Sequence, residues 1–101
     1  MFYIYILYSP GSDKFYIGYK NDYHRRLTEH NTSDRNTYTS KHRPWILKSV
    51  FLCSENETEA IKVERFTKKQ KSRTLLEKLI DEKFPPDGLL AQLVRVPHLR
   101  D

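Results

Sequence analysis

Tyr3–Asn31, YIYILYSPGSDKFYIGYKNDYHRRLTEHN, decides how the rest of this chain is read. Phe2–Tyr8 is apolar or aromatic at every position and rich in Ile and Tyr. The run is too short for a typical helix, and its lack of polar alternation predicts a central strand covered on both faces. Ser9-Pro10-Gly11-Ser12-Asp13 supplies turn chemistry, Pro fixing φ and Gly accepting positive φ. Lys14–Tyr19 then returns as a second strand, giving an antiparallel hairpin. Gly18, inside that strand, reads either as a bulge or as a place where a ligand or another backbone comes close. A cap at Asn21 or Asp22 opens a helix to about His30. Tyr23 and Leu27 share one face of it, Arg26 and His30 a neighbouring one, each pair at i, i+4. Tyr5 and Tyr16 are eleven positions apart, and Arg26 follows Tyr16 by ten. Tyrosine hydroxyls, a guanidinium and an imidazole gathered across a hairpin and a helix make a surface suited to phosphate.

Outward from this stretch, Thr32–Arg43 is polar and without period, so it reads as a loop. Its basic end, Lys41-His42-Arg43, can follow a phosphate backbone. Trp45–Cys53 predicts a third strand, with Ile46, Val50 and Leu52 alternating onto one face. Ser54 with Glu57 fits a capping box and predicts a helix from about Glu55 to Lys69. Ala60, Val63 and Thr67 form its inner stripe, widened by Ile61 and Phe66. Glu64 lies on or beside that stripe, an unusual place for a carboxylate without a partner. Ser72–Phe84 predicts a last helix with Leu75, Leu76, Leu79 and Ile80 inward, ended by Pro85-Pro86-Asp87-Gly88. The remainder, LLAQLVRVPHLRD, has no clean period and either packs as an extended cover or hangs loose. The expected division is one domain over residues 1–84 and a tail over 85–101. The expected fold is α+β, a three-stranded antiparallel sheet flanked by helices in the order ββαβαα.

Composition narrows the class. Charged residues make up 31% and hydrophobic ones 38%, so no stretch reads as a membrane span. MFYIYILY lacks a basic flank and a small-residue cleavage site and does not read as a signal peptide. Cys53 is the only cysteine, which excludes an intrachain disulfide and a zinc site of several thiolates. A reducing cytoplasm is the expected compartment. The net charge of +5 favours a polyanionic partner. No Gly-rich phosphate loop, Ser-His-Asp spacing or His-Glu-x-x-His pattern occurs. The four histidines lack metal-ligand spacing, which leaves a hard cation held by one carboxylate, water and substrate phosphates.

Taken singly, Tyr5, Tyr16 and Tyr19 read as strand packing and Arg26 as a solvated helix charge. Taken together they resemble the GIY-YIG endonuclease superfamily, most closely its small UvrC-like single-domain members. Tyr3-Ile4-Tyr5 stands where that family has Gly-Ile-Tyr, and Tyr16-Ile17-Gly18 matches the second triplet. NDYHRRLTEHN is similar to the family's Arg-bearing helix, and Glu64 within EAIKVERF to its metal-binding carboxylate. The resemblance covers roughly residues 2–84. Two departures stand out: Tyr3 replaces the motif's Gly, and the polar residue, often Asn, beyond the family's Glu has no clear counterpart among Lys68, Lys69, Gln70 and Lys71.

The resemblance implies a Mg²⁺ (or Mn²⁺) dependent endonuclease that hydrolyses DNA phosphodiesters. DNA structure rather than sequence would direct it, in repair or recombination. It implies that Tyr16 accepts a proton from the attacking water, assisted by His30, although the ordinary tyrosine pKa is about 10. Tyr5 would orient the water or the phosphate. Arg26 would hold the non-bridging oxygens, and Glu64 would anchor the cation beside the leaving oxygen. Lys41, His42, Arg43 and Lys68 are the expected DNA contacts. The alternatives are a non-catalytic nucleic-acid-binding module, an enzyme on another phosphate ester, and an interaction domain whose tail docks a partner.

Overall fold

The computed structural model describes residues 1–32, 41–81, 83, 86 and 88–96, with the backbone alone for 23, 24 and 89. Strands β1 (Phe2–Ser9) and β2 (Lys14–Lys20) form the hairpin, followed by α1 (Tyr23–Thr32) and β3 (Ile46–Ser54). Helices α2 (Glu57–Lys69) and α3 (Arg73–Ile80) come next, then a 3-10 turn (Gly88–Gln92) and β4 (Val94–Arg95). The sheet is antiparallel with strand order β2-β1-β3-β4. Residues 33–40 of the expected loop and Phe84 at the expected end of the last helix lie outside the described residues.

β1 lacks alternation because both its faces are covered. Ile4 and Ile6 enter one core layer with Ile17, Phe51, Val63 and Leu79. Tyr5 and Leu7 enter the other with Trp45 and Val50, and Leu27 of α1 packs against them. α2 and α3 thus cover one face of the sheet and α1 the other.

The sheet has four strands, not the three expected. The segment after Gly88 folds back: Leu90 and Leu93 are buried in the first layer, and β4 pairs with β3 at Phe51 and Leu52. Arg95 fastens it. Its guanidinium donates to Ser49 Oγ at 3.1 Å, to the Leu79 carbonyl at 2.9 Å and to the Asp81 carbonyl at 3.0 Å, and it lies over the Phe51 ring.

Local chemistry corrects four further expectations. In the hairpin turn the left-handed residue is Asp13, at φ 52°, rather than Gly11. Asp tolerates that region, and its carboxylate accepts from Tyr8 and pairs with Arg73. In β3 the register slips between Ile6–Ser49 and Leu7–Leu47, leaving Lys48 as an extra residue. That bulge reverses the parity, so Leu47 joins Val50 on the inner face while Ile46 is exposed. α2 begins at Glu57 because Asn56, not Ser54, caps it, its side chain accepting from the Thr58 amide. Ser54 Oγ instead accepts from the Asn56 amide. Ala60, Val63 and Thr67 form the buried stripe as expected, whereas Phe66 is exposed.

Candidate active site

Gly18 lies opposite Tyr5 in the β1–β2 register, and no bulge interrupts that pairing. A Cβ on Gly18 would stand 2.5 Å from the Tyr5 hydroxyl oxygen and 2.7 Å from the ring carbon that bears it. The close approach is therefore made by a side chain of the same sheet. Only glycine leaves room for the Tyr5 ring to run across β2 toward α1.

At the end of that path the Tyr5 hydroxyl lies 3.2 Å from His30 Nε2, in the last turns of α1. Both groups are buried. Arg26, one helical turn before His30, is near enough for its charge to act on the Tyr5 hydroxyl. The contact suits the neutral His30 tautomer whose Nε2 is bare and accepts from the Tyr5 hydroxyl. Burial, with the nearby Tyr16, raises the Tyr5 pKa well above its ordinary value, so its hydroxyl keeps the proton. Burial first, and then the Arg26 charge, pushes the His30 imidazole down to about 4. His30 is accordingly neutral near pH 7, as its role as acceptor requires.

Tyr16 stands beside this pair. Its ring centroid is 6.4 Å from that of Tyr5, and it meets the His30 ring edge-on at 4.8 Å. Trp45 packs against it at 6.0 Å. Burial opposes the charge on Arg26, yet the hydrogen bond to Glu29 and the nearby tyrosine hydroxyls outweigh it and raise its pKa. The Arg26–Glu29 pair measures 2.9 Å, and the Arg26 side chain is 35% exposed, so a cation faces outward beside the two phenols.

Glu64 and Lys68 arrive from α2. The Lys68 ammonium is 2.7 Å from Glu64 Oε1 and 5.7 Å from the centroid of the Tyr16 ring. The Glu64 side chain is only 15% exposed, and its charge is felt at Tyr5. No group of three or more His, Cys, Asp or Glu residues able to hold a metal occurs among the described residues. One sheltered carboxylate does fit a hard divalent ion, which keeps most of its waters and takes few protein ligands.

The fold thus brings Tyr5, Tyr16, Arg26, His30, Glu64 and Lys68 together. Lys41, His42 and Arg43 lie along the margin, with different attachments. Lys41 is exposed. His42 Nδ1 is 2.9 Å from Ser12 Oγ, and Arg43 Nε donates to the His30 carbonyl at 2.8 Å. Arg43 thereby satisfies an open carbonyl near the end of α1. Two supports escaped the sequence reading. Asn31, one residue past the expected helix end, clamps Trp45 through reciprocal bonds of 3.0 and 2.7 Å with its backbone. Glu29 holds both Arg25 and Arg26, a role that the i+4 and i+3 spacings could have signalled.

A model of the GIY-YIG catalytic domain matches residues 1–78. The chain belongs to the GIY-YIG family. Domains of this family are nucleases in general, and the tyrosine triplets that give it its name lie on β1 and β2 of this sheet. A search of curated proteins gave no match. Among the described residues, no helix of this GIY-YIG domain is long and apolar enough to cross a membrane.

Proposed function

We propose that this GIY-YIG protein is a DNA endonuclease of the cytoplasm, dependent on Mg²⁺ or Mn²⁺. It hydrolyses phosphodiester bonds at particular DNA structures, in repair or recombination. One observation carries this reading: two phenols, a neutral imidazole and an outward-facing guanidinium meet on one face of the sheet, beside a sheltered carboxylate.

Arg26 binds the non-bridging oxygens of the attacked phosphate and offsets the charge that grows on them. Tyr5, which keeps its proton and is held by His30, orients the phosphate or the incoming water. Tyr16 acts as the phenolate, which nearby Arg26 and Lys68 favour by their positive charge. It takes a proton from that water to become the phenol, with His30 assisting along its ring edge. Glu64, now paired with Lys68 at 2.7 Å, would hold the divalent ion. The ion would supply Lewis-acid chemistry for the leaving oxygen. Lys41, His42, Arg43 and Lys68 contact flanking phosphates.

Incubation with Mg²⁺ and a panel of duplex, nicked, flapped and branched DNAs tests the proposal. Divalent-dependent cleavage that favours a branched or flapped member is expected. Binding without cleavage by the folded protein, in Mg²⁺ and in Mn²⁺, would replace it with the non-catalytic module.

A further inference from the structure

Beyond Tyr16, the free edge of β2 and the α2–α3 junction enclose an open groove of about 570 Å³. Its floor is built from Phe15, Ile17 and Leu76 with the polar Thr67, and its rim carries Lys14, Lys71 and Arg73 beside the carboxylate of Asp13. Tyr16 and Lys68 close one end, so the groove is continuous with the candidate active site.

The rim charges are not equivalent. Arg73 is engaged by Asp13 and, at 3.9 Å, by Glu77, and it lies over the Phe15 ring. Lys68 is engaged by Glu64. Lys14 and Lys71 are exposed and have no ion pair among the described residues. Lys71 also holds the left-handed backbone at φ 47°, directly after the C-cap residue Gln70. Gly or Asn is the usual residue there, because an L side chain with a Cβ is strained in that conformation. This chain carries a lysine at a glycine position, and that lysine lines the groove.

We propose that this groove binds an unpaired nucleotide of a DNA strand whose phosphate backbone continues onto Tyr16. The inference rests on DNA being the substrate and adds what kind of DNA. The Phe15, Ile17 and Leu76 side of the floor receives the faces of a base, and lysines on the rim receive its flanking phosphates, as in single-strand-binding channels. The volume is that of a small-ligand pocket and suits one base, not a pair still stacked within a duplex. A strand leaving a duplex at a flap or branch would present such a nucleotide next to the cleaved bond.

The test uses the full chain without divalent ion. A fluorescein-labelled oligothymidylate of about eight nucleotides and a blunt duplex with the same label are titrated by anisotropy. Amide shifts of the ¹⁵N-labelled protein are followed with the unlabelled oligothymidylate. The amides of Phe15, Ile17 and Lys71 are expected to shift. Lys14→Ala with Lys71→Gly should weaken oligothymidylate binding about tenfold and duplex binding much less. Lys71→Gly alone should melt at or above the wild-type temperature, since glycine relieves the backbone, which separates lost binding from lost folding. Equal losses on both DNAs, an unchanged oligothymidylate affinity, or shifts confined to other elements would overturn the proposal. Absence of cleavage on every DNA of the panel would overturn the nuclease reading alone, because this measurement reads binding.

Discussion

The hydroxyl oxygen of Tyr5 stands 2.5 Å from the point where Gly18 would carry a Cβ. Tyr5 is fully buried, so its ring has nowhere to retreat without opening the layer that holds Leu7, Trp45 and Val50. Gly18→Ala should therefore lower stability by about 2 kcal/mol, the usual scale of overpacking. It should also break the Tyr5–His30 hydrogen bond. Urea unfolding checks this, and a wild-type midpoint would contradict it.

The two motif tyrosines should separate cleanly. Tyr16→Phe keeps the ring packed on Trp45 and His30 and removes the proposed proton acceptor. Single-turnover cleavage should fall about 10²-fold or more, with melting unchanged. Tyr5→Phe leaves the buried His30 Nε2 without its donor, which should cost about 1 kcal/mol of stability and a smaller loss of rate. A Tyr16→Phe enzyme at wild-type rate, or a larger rate loss at Tyr5, would reverse the roles.

Acid should expose His30. Its pKa is about 4 in the fold against an ordinary 6.5, so between those values the unfolded chain binds a proton that the native one refuses. Stability is then full above about pH 6.5 and falls as pH drops toward 4, by roughly 3 kcal/mol in total. Arg26 holds Glu29, and Arg73 and Tyr8 hold Asp13, below their ordinary 4.5 and 3.8. Those carboxylates therefore add their own loss only at the acid end. His30→Gln should flatten the slope between pH 6.5 and 4.5 in urea midpoints, and an unchanged slope would locate the titration elsewhere.

Glu64→Gln should abolish divalent-dependent cleavage while DNA binding survives or tightens, since Lys68 loses its 2.7 Å partner and is freed for phosphate. Cleavage at the wild-type rate would remove Glu64 from the site.

Lys41 and Arg43 should not behave alike, although they stand two residues apart. Lys41→Ala should weaken all DNAs and make the dependence of log K on log salt shallower by about one unit, with no change in melting. Arg43→Ala also removes the bond to the His30 carbonyl, and should lower the melting temperature by about 5 °C. Calorimetry beside salt titrations distinguishes them. Equal melting temperatures would mean that the Arg43 bond carries no stability.

Much of this arrangement was legible in residue order. β1 could be read as a doubly covered strand because every one of its positions needed burial, and the Arg26–His30 face followed from helical spacing. Ile46 was misplaced because one extra residue, Lys48, reverses the parity of β3, and its chemistry does not distinguish it from an ordinary strand lysine. β4 was hidden for another reason. Val94 and Arg95 gain their place from the edge of β3 and from the Ser49, Leu79 and Asp81 oxygens, partners at least 14 residues away in the chain. Likewise, Arg43 lies where a loop was expected, and its bond to the His30 carbonyl, 13 residues earlier, depends on tertiary closure that periodicity does not encode.

The family match ends at residue 78, but the architecture does not. β4 shields part of the outer edge of β3, and Leu90 and Leu93 plug the layer beneath. A polypeptide cut after α3 would bare that row of amide and carbonyl groups above an unfilled core. It would offer a ready template on which a second molecule could add a strand, and β4 covers that edge at Phe51 and Leu52.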